Sequence, residues 1–180
     1  SERIVITPEQ YEWMPSPMPG VERMMLDRIG VEVARATTLV RYAPNSEFPA
    51  HTHGGGEEIL VLEGEFADEH GVYPKGTYLR NPVGTSHSPK IGDQGALIFV
   101  KLHQFQEDDT TQVVANTNEL CWEESSVEGI AIMELHNFGA EYVALVKWSP
   151  FTEFTRHQHW GGEEVMVLEG TLYDENGLSL

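Results

Sequence analysis

The chain has 180 residues, 40% of them apolar, with 17 Gly and 10 Pro; this excludes disorder and suits a loop-rich β protein of one or two domains. A formal charge of −18 argues against nucleic acid and anionic membrane surfaces as partners. The single cysteine, Cys121, excludes a disulfide framework and is read as a packed small hydrophobe.

No apolar run approaches the ~18 residues of a membrane span, and no signal-peptide pattern opens the chain, so a cytoplasmic setting is expected. In chain order, residues 8–14 allow a helical turn at most, and GVERMMLDR (20–28) is an extra strand or an exchanged arm. TTLVRYAP (37–44), EEILVLEGEFAD (57–68) and ALIFVKLH (96–103) are runs rich in Val, Ile, Leu and aromatics, bounded by turn residues, as strands are. KGTYLRNP (75–82) is a turn leading into a strand that Pro82 ends. Between Gln104 and Ser126 the periodicity is lost, which marks a connection.

HTHGGGEE (51–58) carries the most chemistry. His51 and His53, two apart, leave one face of an extended strand. Glu57 follows a glycine run (Gly54, Gly55, Gly56) that can bend the backbone back towards them. His87, in GTSH, can close the set from across a sheet. Three imidazoles and a carboxylate suit a divalent Zn, Fe, Ni, Mn or Cu ion. Glu58 has the opposite parity and faces away. Tyr42, Phe48, Tyr78 and Phe99 are candidates to line a substrate space, with core packing as the plainer role; Arg80 is a further candidate, suited to an anionic substrate, with snorkelling to the surface as its plainer role. His70, His103 and His136 lack partners at ligand spacing and are read as surface or loop residues.

The chain also repeats itself. HTHGGGEEILVLEGEFADEHG (51–71) returns as HQHWGGEEVMVLEGTLYDENG (157–177), with 13 of 21 positions identical, and LVRYAPNSEF (39–48) returns as LVKWSPFTEF (145–154). A period this long implies domain-sized units. Evenly spaced short strands imply a jelly-roll barrel in each. The expected units are 1–104 with an N-terminal arm, a connection at 105–126, and a second barrel at 127–180 that is incomplete at its C-terminus. His157, His159 and Glu163 form a second, three-ligand candidate site; the counterpart of His87 falls past Leu180.

Two spacings carry a family resemblance: H-x-H-x3-E-x6-G from His51 to Gly64, and G-x5-P-x-G-x2-H from Gly76 through Pro82 and Gly84 to His87. These resemble the two cupin motifs, and HTHGGGEEILVLEGEFADEHG with GTYLRNPVGTSH is similar to the ChrR-type cupin subgroup. The chain departs from the pattern at Asn45, where the motif begins with glycine, and at Ile91, where it ends with asparagine. The resemblance implies all-β, RmlC-like double-stranded β-helix barrels in tandem. It implies one divalent transition metal per complete barrel (Zn or Fe first, Mn or Ni next), with ligands His51, His53, Glu57 and His87. The expected partner is a small molecule, and a homodimer is open. ChrR restrains an ECF sigma factor through an N-terminal helical zinc domain; that cysteine-containing motif is not in this chain, so a sigma-factor partner is not carried over. A dioxygenase-type enzyme, a zinc-bearing ChrR-like regulator and a non-catalytic metal-binding protein stay open, because fold does not fix function.

Overall fold

Alternating apolar and polar positions over short runs build pleated strands, and the regular structure of the computed structural model is nearly all β. It describes residues 3–31, 33–155, 158–159 and 161–173. After a single 3-10 turn, Pro8–Gln10, come β1 (Met14–Pro15), β2 (Val21–Ile29), β3 (Arg35–Tyr42), β4 (His51–Thr52) and β5 (Glu57–Asp68). These are followed by β6 (Gly71–Pro74), β7 (Thr77–Asn81), β8 (Ser86–His87) and β9 (Lys90–Leu102). The chain continues with β10 (Val113–Asn116), β11 (Glu123–Glu124), β12 (Ile130–Phe138) and β13 (Glu141–Trp148).

The main sheet runs β1-β2-β3-β9-β5-β7-β10, with β6 as a hairpin on β5, and does not close into a ring among the described residues. β4 and β8 form a separate two-stranded ladder, and β11-β12-β13 a three-stranded sheet. All ladders are antiparallel. Together they are the all-β jelly roll that the strand pattern implies. GVERMMLDR is a strand of the sheet, paired with β3 from Val21↔Tyr42 to Ile29↔Arg35.

β5 is the organising strand because it is paired on both sides, with Ile59↔Val100 on β9 and Ile59↔Leu79 on β7. Residues opposite one another share a face, so the register sorts the side chains. Glu57, Ile59, Val61, Leu79, Asn81, Ile98 and Val100 fall on the inner face. Val40, Ile59, Val61, Phe66, Leu79, Ile98 and Val100 form the apolar core, and Tyr42, Phe48 and Leu102 pack on it. Each fully buried Ile or Phe there contributes about 1.5–3 kcal/mol. Glu58, Leu60, Tyr78, Arg80, Phe99 and Lys101 share the outer face.

Three local readings are corrected. The aperiodic connection contains β10, which pairs with β7 from Val113↔Arg80 to Asn116↔Thr77. Cys121 is exposed rather than packed, because ELCWEE crosses the surface with Leu120 and Trp122 also exposed. His136 is buried, on β12, where the sequence reading put it at the surface.

Among the described residues after Trp148 no strand forms. EEVMVLEG (163–170) repeats the pattern of β5, yet Val165 and Leu168 are exposed. A strand needs hydrogen-bonding partners, and among the described residues 163–170 has no flanking strands like those that hold β5.

Candidate metal centre

The ladder of β4 with β8 sets His51 directly opposite His87. His53 follows one turn of the pleat later. The backbone then bends through Gly54–Gly56 to start β5 at Glu57 on the inner face. The glycines are needed for space. A Cβ on Gly55 would collide with the His103 ring and one on Gly56 with the Phe105 ring, and Gly56 holds φ +78°. Asn45 (φ +56°) takes the left-handed conformation that a glycine would supply.

The four side chains converge, with one donor atom of each lying within 4.8 Å of all the others. His87 Nε2 is 3.2 Å from His51 Nε2. Glu57 Oε2 is 3.1 Å from His53 Nε2 and 3.5 Å from His87 Nε2. An ion about 2.0–2.1 Å from imidazole nitrogens holds neighbouring donors about 3–3.5 Å apart, so this spacing fits one metal. His53, Glu57 and His87 are buried and His51 is exposed, so the cluster opens on the His51 side.

Hydrogen bonds on the far side of each ring fix the tautomers. Thr85 Oγ1 gives its single proton to Pro82 O (2.7 Å). It therefore accepts from His53 Nδ1–H at 3.0 Å. The Pro49 carbonyl accepts from His51 Nδ1–H at 3.4 Å. Asp68 Oδ2 accepts from His87 Nδ1–H at 3.1 Å. With Nδ1 engaged in all three rings, it is the Nε2 atoms that turn to one centre. His53 Nε2, although near Glu57, is buried and makes no hydrogen bond of acceptable geometry. Such an orphaned lone pair is costly unless a cation takes it. Asn81 Nδ2 donates to Glu57 Oε2 at 3.3 Å. Burial raises the Glu57 carboxyl, but the His53 contact, the nearby imidazoles and Asn81 outweigh it and hold it below the usual range. Burial, ahead of the neighbouring histidines, lowers the His87 imidazole. A metal requires the carboxylate anionic and the ligating nitrogens unprotonated, and the directions for Glu57 and His87 both run that way.

The substrate-lining candidates divide. Tyr42 lies on the inner face, where burial and then the charge of Glu57 push its phenol well above its ordinary range. Phe48 meets it edge-on at 5.1 Å between ring centroids. Phe66, which sequence reading passed over, lies 5.8 Å from the His87 ring. Tyr78, Arg80 and Phe99 lie on the outer face and turn away from the cluster. The strand assignment gave no register for them, and opposite parity to Glu57 sets them apart. A cleft of about 570 Å³ lined by Met18, Arg41, Tyr42, Pro44 and Leu97 includes none of the four clustered residues.

On the outer face Arg80 is fully buried among carboxylates. Its guanidinium donates to Glu58 (3.1 Å), to both oxygens of Glu141 (3.0 Å each) and to Asp109 (2.6 Å). His136 donates to the same Asp109 oxygen at 2.7 Å. Asp109, His136 and Glu141 also converge closely enough for a metal, but the guanidinium supplies their positive charge. Of the second candidate site, His159 Nε2 stands 3.3 Å from Glu163 Oε1, echoing His53 and Glu57, with both side chains about half exposed. His157 lies outside the described residues.

Among solved structures, an RmlC-like cupin from Ralstonia eutropha is similar at TM-score 0.51 and 18% identity, over 65% of this chain and 81% of that one. A candidate acetylacetone dioxygenase from Methylibium petroleiphilum gives 0.51 at 17% identity, over 63% and 87%. A candidate dioxygenase from Nostoc punctiforme gives 0.55 at 18% identity, over 70% of this chain and 50% of that one. At these identities the likeness shows the cupin fold. No curated protein matches the chain. The profile of the ChrR cupin-like domain matches residues 1–106 and again 110–179. With both segments of the sequence matched, this chain belongs to the ChrR cupin-like family.

Proposed function

We propose that the chain is a metal-dependent enzyme acting on a small molecule, of the dioxygenase type, with the metal held by His51, His53, Glu57 and His87. The observation that carries this reading is the convergence of three imidazole Nε2 atoms and a carboxylate on a centre that opens at His51. Four protein donors leave two positions of a six-coordinate ion for substrate. The bound ion would polarise a chelating oxygen substrate as a Lewis acid and, as Fe(II), would support dioxygen chemistry. The chain's own residues orient the donors: Pro49, Thr85 and Asp68 the three rings, and Asn81 the carboxylate. Tyr42, Phe48 and Phe66 supply an apolar, water-poor wall beside them.

The test is oxygen uptake by protein loaded anaerobically with Fe(II), offered small β-diketones and enolisable acids, the substrate class that the similarity to the acetylacetone-dioxygenase candidate suggests. Turnover that disappears in His53→Ala, with the fold retained, is the expected result. A bound metal whose every position is filled by protein would sink the enzyme reading.

A second reading, a zinc-bearing ChrR-like regulator, is favoured by the family match itself. It predicts tight stoichiometric zinc, no oxygen uptake and recovery of a protein partner under oxidant stress. In both readings the chain divides into units at 1–104 and 127–180, and His157, His159 and Glu163 belong to a second, weaker site.

A further inference from the structure

Asp68 ends β5 and opens the two-residue turn into β6. Its carboxylate is 5% exposed and works in two directions. Oδ1 accepts three donors: His70 N–H at 2.8 Å, Gly71 N–H at 3.1 Å and the Tyr73 hydroxyl at 3.0 Å. Oδ2 faces His87 Nδ1 at 3.1 Å. The same turn grips the His87 strand a second time, where Glu69 Oε2 accepts from Ser88 N–H at 2.7 Å. In sequence, D-E-x-G recurs at 174–177.

We propose that Asp68 is a positioning residue for the metal: it sets the tautomer and the orientation of His87, so that Nε2 keeps its lone pair for the ion. This deepens, and rests on, the reading of the four clustered side chains as metal ligands. The chemistry is that of a carboxylate that accepts from the far nitrogen of a ligating imidazole, aligning the ring and raising its basicity. Asp68 is unlike the two other orienting groups. Pro49 O is main chain, and the Thr85 hydroxyl is held by one bond, to Pro82 O. Asp68 is locked by three donors on one oxygen, which leaves the other no role except to accept from His87.

That asymmetry gives a variant that separates orientation from stability. In Asp68→Asn the three donors select the amide oxygen at the Oδ1 position, so the turn survives. The amide NH2 then faces His87 Nδ1, and a donor there demands an acceptor. His87 must switch to the Nε2–H tautomer, which cannot ligate. In Asp68→Ala the turn loses its acceptor but no tautomer is imposed.

Wild type, Asp68→Asn and Asp68→Ala are compared in three measurements: Zn(II) affinity by chelator competition, thermal midpoint of the metal-free protein, and two-bond ¹H–¹⁵N spectra of the metal-free histidines. The expected result is a crossing of order. Asp68→Asn loses about 10–100-fold in Zn(II) affinity, more than Asp68→Ala, while Asp68→Ala has the lower thermal midpoint. His87 reads Nδ1–H in wild type and Nε2–H in Asp68→Asn. An Asp68→Asn affinity within twofold of wild type overturns the proposal, as does a His87 tautomer unchanged in that variant. So does a parallel order in which Asp68→Ala is the worse in both affinity and midpoint. If wild type takes up no Zn(II), the metal reading itself has failed, and the tautomers of the metal-free proteins still decide whether Asp68 sets His87.

Discussion

Replacing Arg80 with Met tests whether the outer face is held by charge. The Arg80 guanidinium is wholly buried, stacks 3.9 Å over the Phe105 ring, and makes four short contacts with three carboxylates. Methionine keeps much of the aliphatic volume but leaves Glu58, Asp109 and Glu141 facing one another without their shared guanidinium, with Lys101 still acting on Glu58 and His136 still bonded to Asp109. Breaking a buried ion pair by removing one partner costs about 3–5 kcal/mol, because the other charge stays desolvated. Two effects pull the value down here. Glu58 already sits above the usual carboxylate range, chiefly through burial, and can take a proton. Glu141 is about one-fifth exposed and can rehydrate. The expected loss is therefore about 3 kcal/mol at neutral pH, at the low end of that range. Urea unfolding followed by tryptophan fluorescence measures it, and the loss should shrink as mild acid protonates the stranded carboxylates. A loss below about 1 kcal/mol, the scale of an exposed ion pair, would refute the reasoning.

Thr85→Val removes the acceptor for His53 Nδ1–H while keeping side-chain volume, and should lower Zn(II) affinity about tenfold with little change in secondary structure, read by chelator competition and circular dichroism. Gly55→Ala should destabilise the protein by about 1–3 kcal/mol in urea unfolding, because its Cβ meets the His103 ring and the backbone between His53 and Glu57 must shift. Asp109 gives a pH signature. Burial alone would raise its carboxyl, but the Thr111 N–H, Arg80 and His136 outweigh burial and hold it at about 2. With the folded value depressed, its contribution is fully present above the ordinary carboxylate value of about 4 and is lost as pH falls from there towards 2. Asp109→Asn should flatten that part of the stability–pH curve; an unchanged slope would count against the account.

Much of this was legible along the strands and little of it across them. β5 begins and ends where the apolar run EEILVLEGEFAD does. Strand parity separates Glu57, which turns inward to the histidines, from Glu58, which turns outward to Tyr78 and Arg80. Parity could not place Tyr78, Arg80 and Phe99, since their face depends on the pairings Leu60↔Tyr78 and Leu60↔Phe99, which no local pattern encodes. The same limit hid the Arg80 cluster: Asp109 stands in an aperiodic run, and Glu141 pairs with Arg80 from 61 residues away. Asp68 went unread, because its bond to His87 spans 19 residues. The second half reads as a copy of the first, yet 163–170 lacks the flanking strands that make β5 a strand.

The most direct test of the central claim is metal content by mass spectrometry on protein purified without oxygen or added metal, with His53→Ala and Glu57→Gln prepared alongside. The account predicts close to one divalent transition-metal ion per chain in wild type, and its loss in both variants while their secondary structure persists. A metal-free wild type that takes up none when offered Fe(II) or Zn(II), or variants that keep a full equivalent, would contradict it.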